Sequence, residues 1–200
     1  MVSSRIYIEG GRGKALDVIY RRAFRKLFER CQFSGRMPKL VTSGSRGHAY
    51  SDFKTAYSNN ASSKMFIAML VDSEDPVVNI EKTWDHLKNR DNWDRPVSAD
   101  DQQVLLMTTS METWVVADQE TLRRHYGAKL TEAKLPSLHS LEDQDQKVVF
   151  GALKAAMKDH TSPYTKGRNS FEGLGQLNPD TLKKHLPSFN RVLKILEDKL

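Results

Sequence analysis

The most constraining feature of the sequence is an uninterrupted apolar run, residues 65–71, that ends abruptly in charge at Asp72-Ser73-Glu74-Asp75. A short run with no polar interruption is typical of a central strand that is buried on both faces of its sheet. Burial of both faces requires helices on each side of the sheet. The segment therefore predicts an α/β fold in which a charged rim follows a buried strand directly.

Three further apolar runs complete the predicted sheet, and between and after them apolar residues recur at helical spacing. The predicted strands lie at 5–8, 39–42, 65–71 and 104–108. The predicted helices lie at 14–31, 49–57, 80–88, 113–125, 145–159, 170–176 and from 179 to the end, with a break at Pro187. This order favours a mostly parallel, Rossmann-like sheet of about four strands flanked by helices. We expect an α/β core over residues 1–126 and a mainly helical part, 127–200, packed on that core.

Composition places the chain among ordinary globular proteins. Hydrophobic residues make up 38% and charged residues 28% of its 200 residues. No apolar run approaches the roughly 18–20 residues that span a bilayer, so no membrane association is expected. The single cysteine, Cys31, excludes an internal disulfide. Because the N-terminus shows no signal-peptide pattern, we expect a cytoplasmic protein.

Charge is distributed unevenly along the chain. The formal net charge is +8 over residues 1–60, −7 over 61–120 and +5 over 121–200. Basic flanks around an acidic centre suit a polyanionic ligand and a metal-binding middle. The total of +6 also fits a mildly basic protein without such a ligand.

Carboxylates follow three of the predicted strands: Glu9, then Asp72, Glu74 and Asp75, and then Glu112. Ligands of parallel sheets bind beyond the carboxyl ends of the strands. Converging carboxylates repel one another unless a cation compensates them, and such hard oxygen ligands suit Mg²⁺ or Mn²⁺. If Glu9, Asp72 and Glu74 form one site, their carboxylates should lie within about 10 Å of one another. The alternatives are a solvated turn at Glu9 and a turn cap at Asp72.

Other familiar chemistries find little support in the sequence. The loop Gly10-Gly11-Arg12-Gly13-Lys14 lacks the spacing of a Walker loop, although its backbone could approach a phosphate at a helix N-terminus. The six histidines show no zinc-binding spacing, and no serine lies in a GxSxG motif. Several basic residues are predicted in loops near the acidic rim, either as phosphate ligands or as solvated charge. They are Arg12, Lys14, Arg46, Lys166 and Arg168.

Two segments together resemble the Toprim domain of topoisomerases, DnaG-type primases and OLD-type nucleases. The first is Ile6-Tyr7-Ile8-Glu9-Gly10-Gly11, and the second is Leu70-Val71-Asp72-Ser73-Glu74-Asp75. The Toprim pattern is a strand that ends in Glu-Gly and a later strand that ends in Asp-x-Asp. This chain has Glu74 at the second acidic position, which makes it an Asp-x-Glu variant.

The wider chain is similar to a bacterial family of Toprim-like proteins of unassigned function, the DUF4276 type. The segments that carry this similarity are 35–39, 70–76, 111–118 and 164–168, in that order, and the similarity extends over about residues 5–175. Members of this family are often encoded beside an ABC-type or OLD-type ATPase in phage-defence loci. The resemblance therefore implies such an ATPase as a partner.

The resemblance also implies roles for individual residues. Glu9 would be the general acid/base or a metal ligand, and Asp72 and Glu74 would hold Mg²⁺. Asp75 could replace Glu74 as a ligand, and Glu112 would complete the metal set. Lys166 would contact the scissile phosphate. These roles amount to a nuclease or a phosphoryl-transfer enzyme that depends on Mg²⁺ or Mn²⁺ and acts on DNA, RNA or tRNA.

A different class of function stays open beside the enzyme. The Toprim-like core could be a non-catalytic interaction or sensor subunit that docks on the ATPase through the segment around Trp84 and Trp93. Alternatively, both tryptophans simply cap the sheet. The sequence leaves the oligomeric state open, a homo-oligomer included.

Overall fold

The structure is a computed structural model that describes residues 4–11, 13–60, 64–158, 160, 164–165 and 173–200. Its strands are β1 Ser4–Ile8, β2 Lys39–Thr42, β3 Phe66–Asp72 and β4 Val104–Met107. Its helices are α1 Lys14–Arg30, α2 Arg46–Asn59, α3 Thr83–Asp91, α4 Met111–Ala117, α5 Gln119–Tyr126, α6 Gln146–Ala156, α7 Pro179–His185 and α8 Pro187–Lys199. None of the helices in these ranges has the length and apolarity that a bilayer crossing requires.

The four strands form one parallel sheet in the order β2-β1-β3-β4. Ile8 lies opposite Leu70, and Asp72 lies opposite Met107, so β1, β3 and β4 end along one edge. The predicted parallel α/β fold is confirmed.

Alternate residues of the sheet enter two separate cores. Ile6, Ile8 and Leu70 face α1 and the C-terminal helices, whereas Tyr7, Met69 and Val71 face α2 and α3. Since β3 is buried on both faces, it needs the continuous apolar run seen in the sequence. The helical C-terminal part packs on the first of these cores, but its boundary at residue 126 stays a prediction.

The predicted helix over 113–125 is in fact two helices, α4 and α5. The break falls at Asp118, whose buried carboxylate accepts hydrogen bonds from the backbone N–H of Thr121 (3.1 Å) and Asn178 (2.7 Å). Asp118 is therefore the N-cap of α5 and also anchors the chain before α7. Helical spacing in the sequence continues through this cap, which explains why the prediction missed it.

The boundaries of two other helices differ from prediction because of their caps. Ser45 accepts a hydrogen bond from the His48 backbone, so α2 begins at Arg46. Asp101 accepts one from the Trp84 backbone (2.8 Å), and α3 begins at Thr83. The predicted break at Pro187 is confirmed, while residues 170–172 of the predicted helix 170–176 lie outside the described residues.

The tryptophan segment belongs largely to the second core. Trp84 is 4% exposed and packs against Phe53, and Trp93 stacks on Tyr50 with ring centroids 4.5 Å apart. This arrangement agrees with the alternative in which the tryptophans cover the sheet. It removes Trp84 as a candidate docking residue.

Candidate functional site

Three carboxylates meet at the carboxyl edge of the sheet. Glu9 follows β1, Asp72 ends β3, and Glu74 lies two residues further on. Each offers a carboxylate oxygen, and these oxygens all lie within 4.8 Å of one another. The predicted approach to within about 10 Å is confirmed. We call Glu9, Asp72 and Glu74 the acidic triad.

Hydrogen bonds between neighbouring elements orient two members of the triad. The Glu9 backbone N–H donates to Leu70 O (2.9 Å) and so continues the hydrogen-bond ladder between β1 and β3. Glu9 Oε2 accepts from the Asp72 backbone N–H (3.0 Å). Asp72 Oδ1 accepts from the Met111 backbone N–H at the start of α4 (2.9 Å). Because β1 and β3 are adjacent parallel strands, the two carboxylates approach each other across their shared ladder.

Glu74 reaches the triad through an unusual backbone conformation. Its φ of 68° is left-handed, and its N–H donates to Thr109 O beyond β4 (2.8 Å). Its carboxylate accepts a hydrogen bond from Gln146 Nε2 of α6 and lies 3.7 Å from Arg90 Nη2 of α3. A left-handed non-glycine residue is typical of functional turns. Elements far along the chain therefore hold this third carboxylate.

A buried tyrosine is hydrogen-bonded to the backbone of one triad residue. Tyr20 of α1 is 2% exposed, and its hydroxyl donates to Glu9 O (2.7 Å). Burial raises the pKa of Tyr20 well above its usual value, and the negative charges of Asp72, Glu9 and Glu112 raise it further. A neutral phenol is therefore kept beside the carboxylates, where it can donate a hydrogen bond without adding charge.

Gly10 allows this tyrosine to approach. A Cβ at Gly10 would lie 2.6 Å from Tyr20 Cε1, and the buried ring has no room to move away. Gly10 also exchanges two backbone hydrogen bonds with Gly44 after β2, at 2.7 and 3.1 Å. The glycine loop that resembles a phosphate loop in the sequence thus has a packing role at the triad.

We expect Gly10→Ala to lower the free energy of unfolding by about 1–3 kcal/mol more than Gly13→Ala. Both glycines have positive φ (112° and 94°), but a Cβ at Gly13 would meet nothing within 4 Å. Both variants therefore carry backbone strain, and only the first also carries the clash with Tyr20. Urea denaturation of the two variants measures the difference. Equal losses would contradict this account of Gly10.

The other two predicted metal ligands do not belong to the cluster of carboxylates within 4.8 Å of one another. Asp75 is exposed, and its Oδ2 accepts from Arg90 Nε (2.9 Å). Glu112, in the first turn of α4, is 2% exposed, and its Oε1 accepts from the Tyr164 hydroxyl (3.3 Å). Metal binding by either residue stays a prediction.

The predicted basic residues have different surroundings. Lys14 is exposed at the start of α1. Arg46 is 9% exposed: it donates to Asp72 O (2.8 Å), pairs with Asp91 and lies over the ring of Trp93. Arg46 therefore positions the end of β3, and phosphate binding by it stays a prediction. Arg12, Lys166 and Arg168 lie outside the described residues.

Sequence reasoning missed three side chains that surround the triad. Tyr20 fell on the predicted inner face of α1, where an aromatic residue is ordinarily core. Gln146 and Arg90 belong to helices whose placement over the sheet edge depends on the fold. Of the three, only Gln146 had a signal in the sequence: it lies at the start of a helix, directly after the acidic capping residue Asp145.

The donor set of the triad fits a small hard cation. Three carboxylates this close repel one another, and Arg90 Nη2 lies 3.7 Å from the carboxylate of Glu74. Mg²⁺ and Mn²⁺ bind one or two carboxylates together with water and substrate oxygens. These ions would use the triad as a partial coordination shell.

No curated protein and no solved structure matches the chain. A family model described as a domain of unknown function, DUF4276, matches residues 13–197. The match covers α1 to α8, including Asp72 and Glu74, and begins four residues after Glu9. With nearly the whole sequence covered, the chain belongs to the DUF4276 family.

Proposed function

We propose that the chain is a divalent-metal-dependent enzyme of Toprim type that hydrolyses phosphodiester bonds in nucleic acid. The observation that carries the proposal is the acidic triad, whose carboxylate oxygens lie within 4.8 Å at the ends of β1 and β3. The Toprim resemblance supports the same chemistry, because the Glu-Gly motif and the Asp-x-Glu variant of the Asp-x-Asp motif supply these three residues.

Asp72 and Glu74 would hold Mg²⁺ or Mn²⁺, with Asp75 and Glu112 as further candidate ligands. The ion would supply Lewis-acid activation of the phosphate and of the attacking water. Glu9 would accept the proton of that water as its oxygen bonds to phosphorus. The bond from phosphorus to the leaving oxygen breaks in the same displacement. Tyr20 and the Asp72 N–H would position Glu9 through the hydrogen bonds described above.

The exposed face of α1 favours nucleic acid as the substrate. Four basic residues on this face are exposed and form no ion pair with any residue that the structure describes; they are Lys14, Arg21, Arg22 and Lys26. Arg25, between them, pairs with Glu29. The helix begins beside the glycine loop that follows Glu9. A basic face that leads to the acidic triad suits a phosphate backbone.

The resemblance alone supports a partner and a setting for the reaction, which are an ABC-type or OLD-type ATPase subunit and a role in phage defence. The proposed cytoplasmic location rests on the N-terminal sequence and the single cysteine. The protein could also act as a homo-oligomer.

The test is incubation of the purified protein with Mn²⁺ or Mg²⁺ and a panel of duplex DNA, single-stranded DNA and RNA, with and without the neighbouring ATPase. We expect cleavage that EDTA abolishes, together with binding of Mn²⁺ at millimolar or lower concentration in calorimetry. Absence of Mn²⁺ binding would overturn the metal site. Mn²⁺ binding without cleavage of any substrate, with the ATPase present, would overturn the enzyme and leave a metal-binding module.

A further inference from the structure

Gln146, the first residue of α6, makes two contacts with one member of the acidic triad. Its Nε2 donates to Glu74 O at 3.2 Å and also to the Glu74 carboxylate. Both partners are acceptors, so the amide must present its nitrogen to them. One side chain therefore holds both the backbone and the carboxylate of the same residue.

These two contacts bear on the length of the Glu74 side chain. Because one nitrogen touches both the carbonyl oxygen and the carboxylate of Glu74, the carboxylate is folded back toward its own backbone. Glutamate has one methylene more than the second aspartate of the Asp-x-Asp pattern, and the left-handed φ of 68° changes the direction in which its side chain leaves the turn. Gln146 therefore stabilises the conformation in which the longer side chain meets Glu9 and Asp72.

Gln146 is itself held firmly. Asp145 caps α6 by accepting from a backbone N–H of its first turn (2.7 Å), and the helix is buried along one face in the core that it shares with α4. Thr109 connects this helix start to the triad, because its backbone O accepts from the Glu74 N–H (2.8 Å) and its hydroxyl donates to Gln144 O (3.3 Å). The spacing between Glu74 and Gln146 is therefore fixed from both sides.

Arg90 lies at the same turn but makes its shorter contacts elsewhere. Its Nε donates to Asp75 (2.9 Å) and its Nη1 pairs with Asp91, whereas its Nη2 lies 3.7 Å from Glu74. A neutral amide orients a carboxylate without cancelling its charge, so Glu74 can still attract a cation while Gln146 holds it. Hydrogen bonds of this kind orient the carboxylates that bind metals in proteins.

We infer that Gln146 is a positioning residue for the candidate metal site: it holds Glu74 in the orientation that a divalent cation at the triad needs. The inference rests on the proposed function, because it requires that the triad binds Mg²⁺ or Mn²⁺. The effect of Gln146 on the cation passes through Glu74. Loss of such an outer hydrogen bond typically weakens metal binding by about 10–100-fold.

The experiment is calorimetric titration of Mn²⁺ into the full chain and two variants, Gln146→Met and Gln146→Lys. Methionine is close to glutamine in length and helix propensity but has no N–H, so we expect Gln146→Met to bind Mn²⁺ about tenfold more weakly than the wild type. Lysine places an ammonium beside Glu74 that competes with the cation, and we expect a loss of more than about fiftyfold. Gln146 is half-buried at the helix start, so we expect both variants to melt within a few degrees of the metal-free wild type.

Gln144→Met is the matched control. The Gln144 side chain donates to Ser137 O (3.4 Å), and its bond with Thr109 uses only the backbone, so Mn²⁺ affinity should stay within about twofold of the wild type. Three results would overturn the positioning role while leaving the metal site in place: wild-type affinity in Gln146→Met, an equal loss in Gln144→Met, or equal losses for methionine and lysine at position 146. Absence of Mn²⁺ binding by the wild type would instead overturn the proposed function, and the positioning role with it.

Discussion

Asp72→Asn is expected to lower divalent-metal-dependent cleavage by more than about a hundredfold, because the ion loses a ligand that stabilises the transition state by several kcal/mol. The same substitution should leave the metal-free protein as stable as the wild type or slightly more stable. Asparagine keeps an Oδ1 acceptor for the Met111 N–H. It also removes one of three charges that lie within 4.8 Å of one another.

Thermal melts without metal and with added Mn²⁺, run beside the cleavage assay, separate these effects. The wild type should gain stability from Mn²⁺, and Asp72→Asn should lose most of that gain. Asp52→Asn is the matched control, because Asp52 is an exposed aspartate of α2 away from the triad. If Asp72 serves only to cap the turn, asparagine replaces it well, and activity and the Mn²⁺ effect both persist. That result would remove the main support for an enzyme.

The second large effect concerns the pH dependence of stability through Glu142. Its pKa is raised from 4.5 to about 7, mainly by burial, with a smaller contribution from Asp143. Because the folded state binds this proton more tightly than the unfolded state, the stabilisation is complete below about pH 4.5. It is lost as the pH rises through about 7. The expected loss across this range is about 3 kcal/mol.

Chemical denaturation of Glu142→Gln and the wild type between pH 4.5 and 8 measures this contribution. The glutamine keeps an acceptor for the Ser188 N–H but does not titrate, so its stability relative to the wild type should rise with pH. Glu120→Gln, which removes an exposed glutamate of α5, should follow the wild-type profile. Parallel profiles for Glu142→Gln and the wild type would show that Glu142 titrates normally in the folded protein.

The sheet and its charged rim were predictable because they depend on local patterns. The apolar run 65–71 requires burial on both faces, and the order of strands and helices requires parallel connections. Once the strands are parallel, residues directly after β1 and β3 must lie at one edge. The placement of Glu9 and Asp72 at one edge could therefore be predicted from chain order, whereas their close approach depends on β1 and β3 being neighbours in the sheet.

The helix boundaries were less predictable, because apolar spacing does not mark the capping residue and some capping groups come from elsewhere in the chain. Asp118 lies within a continuous helical pattern, caps α5 through the Thr121 N–H and also accepts from the Asn178 N–H, 60 residues away. Asp101 caps α3 across 17 residues. The spacing of apolar residues indicates which face of a helix is buried, but it does not indicate which polar residue accepts from the free N–H groups at the start of the helix.

The sequence by itself determined the α/β class, the parallel edge and the acidic residues along it, since hydrophobic spacing acts over a few neighbouring residues. Only the tertiary structure decided what surrounds the triad. Gln146 reaches Glu74 across 72 residues, and Arg46 turns inward to Asp72 O instead of facing solvent. A cleft beyond the end of β4 forms where residues 77–80, 138–143 and 184–187 meet. These contacts depend on how whole helices pack on the sheet, and that packing is a property of the complete core, not of any one segment.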